Sequence, residues 1–433
     1  MTSLLRPIRP DTADVKEVQG LRGAPTRALG APWPWGCFLL IALLSLRAAP
    51  ALEAYVIESS TGPITPRELD SFLDGVRGLR PLTSNAGNGM ATHKSGTEIA
   101  AISKVFEATR DPRVLAQAVR FADTFCAYRN DQPKGQHVTQ WTGEVEPVWP
   151  MSATADSAGG ESAMIAGHVA YVAWLILDTP ALWSTPVADG DPCGYGATFK
   201  ERGLTYLRMT DEALRRYLTR YCIVPGTCTI VNPTRTPETG DPPPWNIQAM
   251  YMLPHLYAAR CHDLLGDKPP ALALCKGVVN RYATWFVDAA QYSTEDGRKV
   301  ARWYYLVPPD HQRKENQGHA QHDIRGLIAA FDSGYTSVTA EQMRVFADTA
   351  RYVMYRGPHR WSDNVHGEGP DRDNLKADLI PLATWEPSLL ALAVESNLLK
   401  EPHTVDAGSE ACLNAGFMLY TKQKLAAAKP AAR

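Results

Sequence analysis

The sequence has almost no imbalance of charge: 44 Lys and Arg stand against 46 Asp and Glu, a formal net charge of −2. Without clustered basic residues, nucleic acid is not the expected partner, because phosphate binding draws on such clusters. An anionic ligand in a local basic groove remains open. No pair among the eight cysteines has metal-finger spacing, and no cofactor or metal is expected. Strand signals are also scarce. "CTIVNP" (228–233) and "TVDAG" (404–408) are the best of them, and both are short. The apolar run "CFLLIALLSL" (37–46) falls short of the roughly 20 residues that span a bilayer.

That run does have a use. Arg22 and Arg27 precede it and Ala49 and Ala51 follow in an A-x-A arrangement, which is the pattern of an export signal. Residues 1–51 are therefore expected to be a signal peptide with a long basic leader, and residues 52–433 one catalytic domain, secreted or periplasmic. Cleavage would leave no stable membrane anchor, and would remove six basic and three acidic residues, moving the net charge to about −5. Export permits disulfides. Cys222 with Cys228, across a Pro-Gly turn, and Cys261 with Cys275 are candidate pairs.

What is abundant is helical periodicity. Residues 97–128 read as two helices broken at Asp111-Pro112, 245–287 as two helices around a Gly-Asp-Lys-Pro turn, and 320–355 as another pair with Thr339 as N-cap. Residues 161–177 and 199–218 form a looser copy. Recurrent hairpins predict an all-α fold, an (α/α) toroid or barrel of about six or seven helical hairpins with minor β content. Long polar loops at 82–96, 135–162, 241–246, 296–323 and 359–374 would then converge on one rim, where loops on a rigid scaffold carry function.

Those loops hold the candidate residues. In "QRKENQGHAQHD" (312–323), Glu315, His319 and His322 fall at i, i+4 and i+7. Asn316 could simply cap the helix and Glu315 favour its positive end. A zinc site is a second reading, though His-x-x-His is poorly spaced for it. The third is acid–base chemistry: Tyr304 or Tyr305, with Arg298 and Arg302 nearby, suggests a phenol whose pKa is lowered by a guanidinium, a shift of about three units and roughly 4 kcal/mol. Asn246 opens an apolar helix, as a cap or a ligand. Asn85, Asn88 and His93 lie in a Gly-rich loop, where turn chemistry is the alternative. Glu161 shares a helix face with His168 and is a dipole partner or an acid. Trp141 and Trp361 could stack on sugars or pack.

An exported helical-hairpin chain with "PWN" opening one helix and then "RWYY…EN…HAQHD" resembles the (α/α)-toroid polysaccharide lyases that cleave alginate or glucuronan, those of family 38 among them. The resemblance covers about residues 80–400 as architecture. It implies an anionic polysaccharide substrate and β-elimination, with Tyr304 or Tyr305 as base and acid and Arg298 or Arg302 as tuner. Asn246, His319 and His322 would neutralise the substrate carboxylate, and His255 competes for the histidine role. Asn85, Asn88, His93, Trp141, Glu161, Glu315, Asn316 and Trp361 would line the substrate path. Amides, imidazoles and guanidiniums suit elimination, since they stabilise charge developing on a sugar acid. Three rivals stand beside it. A glycoside hydrolase would pair Glu161 with Glu144, Glu315 or Asp323, and less readily Asp363, across about 5–10 Å. An epimerase would share the proton abstraction. A binding toroid would turn nothing over.

Overall fold

A computed structural model of the chain describes residues 55–155, 157–308, 313–398 and 407–428. The expected leader at 1–51 lies outside the described residues. The rest is mostly helical: α1 (Pro66–Arg77), α2 (Lys94–Thr109), α3 (Pro112–Ala127), α4 (Gly160–Leu177), α5 (Phe199–Ala213), α6 (Thr219–Cys222), α7 (Trp245–Leu265), α8 (Leu272–Ala289), α9 (Gln317–Ser333), α10 (Ala340–Asp348), α11 (Ser388–Leu398) and α12 (Ala407–Ala428).

Local chemistry sets the boundaries. Thr65, Thr198 and Thr339 each close a capping box with Glu68, Glu201 and Gln342, and Pro66 and Pro112 take the first helical position, where a missing N–H costs nothing. Gly334 ends α9 at φ 72°, a left-handed conformation that favours glycine. The apolar pattern then decides what packs. α4 is apolar on every side and 94% buried. Among the described residues it is the one helix long and apolar enough to cross a membrane, and here it is the core helix that such a composition also describes.

The contacts run in order. α2 packs on α4, α4 on α7, and α7 on α9. α9 packs on a 3₁₀ segment at Ala377–Thr384, that segment on α12, and α12 returns to α2. α3, α5, α8 and α11 lie against this series. Close approach is built in: a Cβ on Gly326 of α9 would meet Ala249 Cβ of α7 at 2.8 Å. An ion pair between fully buried Glu68 on α1 and Lys422 on α12, at 2.7 Å, ties the two ends of the domain together.

Several elements differ from the sequence reading. A hairpin of Gln291–Glu295 with Arg298–Arg302 stands where a loop was expected. Its Asp296-Gly297 turn has positive φ at both residues, as a two-residue hairpin of the right twist requires. A three-stranded sheet joins Tyr355–Gly357, Arg360–Ser362 and Asp371–Arg372. "CTIVNP" does supply a strand, Thr229–Ile230, paired with Ile223–Val224. Of "TVDAG", residues 404–406 lie outside the described residues, and Ala407 and Gly408 open α12 rather than a strand. The candidate disulfides are not formed; the seven described cysteines are free. Cys228 sits on its turn at φ 56° with its sulfur against Gly277 of α8, not Cys222, whose thiol is buried.

Candidate active site

The polar stretch beginning at Arg313 enters as an extended strand and leaves as a helix. Tyr305 N donates to Arg313 O at 2.8 Å and Glu315 N to Trp303 O at 3.3 Å. On the other side Val365 N donates to Glu315 O at 3.0 Å and Gln317 N to Asp363 O at 2.8 Å. Asn316 then caps α9, its Oδ1 accepting from His319 N at 3.1 Å. α7 begins beside the same strand, where Trp245 N donates to Tyr305 O at 3.4 Å. Pro244 occupies its cap position, so Asn246 falls inside the first turn and is not itself the cap.

These starts open on a cavity of about 750 Å³. Its wall brings together Tyr305, His319, His322, Asn246, Glu161 and His93, with Asn88 and Lys94 beside them. Arg325 and Asp378 also border it, locked in a bidentate pair at 2.9 and 2.6 Å, and Lys376 binds Glu410 at 2.9 Å. Two of the three wall carboxylates are thus held by cations, leaving Glu161.

Burial sets the charge states. Tyr305 and His319 rings lie 4.7 Å apart, and the Arg313 guanidinium is 4.0 Å from the Tyr305 ring centre. Burial pushes the Tyr305 phenol up, with Arg313 opposing, so the group is a protonated phenol at neutral pH. Burial, then Arg313, lowers His319, and burial, then Arg325, holds His322 well below the usual range. Both imidazoles are neutral. Asn246 Oδ1 and His322 Nδ1 are buried without a hydrogen-bond partner, an arrangement that calls for an explanation. Behind His319, buried Glu315 and Asp323 lie close enough to act on each other's charge, and burial raises both. Glu315 is therefore a buried acid facing Asp323, not a charge at the helix start.

The tuning arginines were misplaced by the sequence reading. Arg298 and Arg302 lie on the 291–302 hairpin: Arg298 covers the Tyr352 ring at 4.5 Å, and Arg302 binds Glu295 at 2.6 Å. Arg313 stands over the phenol instead. Tyr304 packs its ring against His366 at 5.0 Å and is not on the cavity wall, because neighbours on a strand point to opposite faces. Asn85 is buried in its turn, Nδ2 donating to Trp149 O and Oδ1 accepting from Met90 N. Trp141 donates to Tyr217 Oη at 2.9 Å, and wholly buried Trp361 donates to Ser396 Oγ at 3.0 Å, so neither offers a face to the cavity. Glu144 is exposed on its loop, and Asp363 pairs with Arg372. His255 binds Tyr251 O and Thr219 Oγ1, inside the core.

Among the described residues no group of three or more His, Cys, Asp or Glu is placed to hold a metal. No protein-family model and no curated protein matches the chain. A solved structure titled as the apo form of a beta-1,3-1,4-glucanase from Paenibacillus sp. X4 aligns with 86% of this chain and 97% of its own, at 10% identity and a TM-score of 0.47. The sequence missed Arg313, Lys94, Arg325 and Lys376. Arg313 was within reach, since it stands in the very stretch that carries the histidines.

Proposed function

We propose that the protein is an exported polysaccharide lyase that cleaves a uronic-acid polymer by β-elimination, on helices closed into an (α/α) toroid. The cyclic order of contacts, from α2 through α4, α7, α9 and α12 back to α2, supports the toroid. One observation carries the activity: a phenol, two neutral imidazoles and an amide with unsatisfied buried atoms meet in one cavity.

A C-5 proton beside a carboxylate is weakly acidic because its removal puts a second negative charge on that carboxylate. Donors aimed at the carboxylate relieve this, and such electrostatic terms are commonly the largest in catalysis. The Asn246 Nδ2 amide, through its N–H groups, and an N–H of the His322 imidazole have that role. A neutral His319 takes the C-5 proton, the electron pair forms the C-4=C-5 double bond, and the C-4–O bond breaks. The protonated Tyr305 gives its proton to the departing oxygen. Exchange with solvent after product release then takes the proton from His319 and returns one to Tyr305, which restores both groups. The raised phenol thus reassigns Tyr305 from base to acid, with His319 as base.

Elimination fits the wall better than hydrolysis. Glu161 lacks a free carboxylate partner there: Asp378 and Glu410 are held by cations, Glu315 and Asp323 lie behind His319, and Glu144 is elsewhere. Incubation with alginate, glucuronan and related polyuronates is expected to generate the ultraviolet absorbance of a conjugated C-4=C-5 bond. Silence on every polyuronate would end the proposal, and reducing ends without absorbance would favour the hydrolase. Solvent deuterium at C-5 without cleavage would favour an epimerase.

A further inference from the structure

The assignment of His319 as base leaves one requirement unmet: its cavity-facing nitrogen must carry a lone pair, not a proton. Two groups compete for the other nitrogen. His319 Nδ1 lies 3.1 Å from Asn316 Nδ2 and 3.3 Å from Glu315 Oε1. The Asn316 amide cannot turn round, because its Oδ1 is committed to the His319 N–H as helix cap. Its Nδ2 can therefore only donate, which fixes the proton of a neutral His319 on Nε2. Glu315 Oε1, when ionised, can only accept, and a charge-assisted bond to Nδ1–H is the stronger of the two.

We infer that Glu315 and Asp323 are positioning residues that choose the tautomer of His319, turning it from a donor into a base when the pair gives up a proton. The geometry is specific. Glu315 is fully buried, and its Oε1 also accepts from Asn316 N at 2.9 Å. Asp323 is fully buried, with Oδ2 accepting from Trp303 Nε1 at 2.8 Å. Glu315 Oε2 and Asp323 Oδ1 are buried and receive no hydrogen bond. Two carboxyls buried together resist a second charge, so the pair keeps one proton, and Glu315, which faces His319 Nδ1, is the side whose ionisation the imidazole meets. The titratable groups facing the pair are few. Arg313 and Tyr305 come from the adjoining strands, His319 from α9, and Tyr282 from α8, whose hydroxyl binds the Asp323 backbone carbonyl. Burial pushes Glu315 up to about 8, so the change of tautomer falls in a range accessible to the folded protein.

The inference rests on the lyase reading for its use, but its test does not. In protein labelled with ¹⁵N at the imidazoles, with His319→Gln to assign the signal, His319 is expected to pass from the Nε2–H to the Nδ1–H form as pH rises through mildly alkaline values. Glu315→Gln is expected to abolish that pH-dependent change, while Asp323→Asn, which keeps a donor against Glu315, retains it. A tautomer that does not change with pH in the parent protein, or a change that survives Glu315→Gln, would overturn the inference. So would its loss in Asp323→Asn with the fold intact. On an active polyuronate, kcat should rise along the same pH curve and become flat in Glu315→Gln. If the tautomer switches but no polyuronate is cleaved, the lyase reading alone fails.

Discussion

Two regions of this protein bury histidines, and they treat them in opposite ways. Inside α4 and α7, His168 and His255 are anchored to backbone carbonyls, His168 to Ala91 O at 2.9 Å and His255 to Tyr251 O at 2.8 Å, with Thr219 on its second nitrogen. Burial lowers them to about 3 and about 4, and they are neutral, satisfied pieces of the core. At the start of α9 burial is similar but satisfaction is not. On the cavity wall, His322 Nδ1 and Asn246 Oδ1 are buried without a hydrogen-bond partner. Each such group costs about 1–3 kcal/mol. On the lyase proposal, the unsatisfied atoms on the cavity wall are the ones that meet the substrate.

That contrast can be broken in graded steps. The largest effect is expected at Tyr305→Phe, which deletes the proposed acid and keeps the ring: kcat on a polyuronate should fall on the order of 10²–10⁴-fold, with thermal stability nearly unchanged. Asn246→Ala comes next, with a loss on the order of 10²-fold as one donor to developing charge is removed. Steady-state kinetics on a defined oligosaccharide checks both.

His255→Leu should do the reverse, losing about 1–3 kcal/mol as Thr219 is left without its partner, with kcat per folded molecule unchanged. Urea unfolding alongside kinetics separates the two. The pH dependence of stability follows from Glu315. Its folded pKa, about 8, lies above the ordinary 4.5, so the native state binds more protons than the unfolded chain between those values. Stability should therefore fall as pH rises through that window, and Glu315→Gln should flatten the fall. The smallest effect belongs to the hairpin. Arg298→Ala and Arg302→Ala, on a surface strand, should leave kcat unchanged and stability within about 0.5 kcal/mol.

The helical architecture was readable because its signals are local. Asp111-Pro112 breaks α2 from α3, Thr339 caps α10, and Gly-Asp-Lys-Pro separates α7 from α8. α12 escaped notice: its apolar residues are spread round the helix, so no stripe marks a face. The 291–302 hairpin escaped for another reason, since its Asp-Gly turn was read as part of one long polar loop. Of the candidate site, Asn246, Glu161, His319 and His322 share one wall because each lies in the first or second turn of a helix, and helix starts were what the sequence revealed. Arg298 and Arg302 were drawn to Tyr305 by nearness in sequence, whereas Arg313 reaches it across a strand pairing, which sequence distance hides. The Glu315–Asp323 contact was hidden in the same way, because only the bend from strand to helix at Asn316 turns those two carboxyls toward each other.

The most direct test is the mass of the product. If His319 and Tyr305 carry out an elimination, a uronic-acid oligosaccharide of known length will be split into two fragments whose summed mass equals that of the substrate, one of them carrying the conjugated double bond. Fragments heavier in sum by one water, without that chromophore, would contradict the account and assign the cavity to hydrolysis.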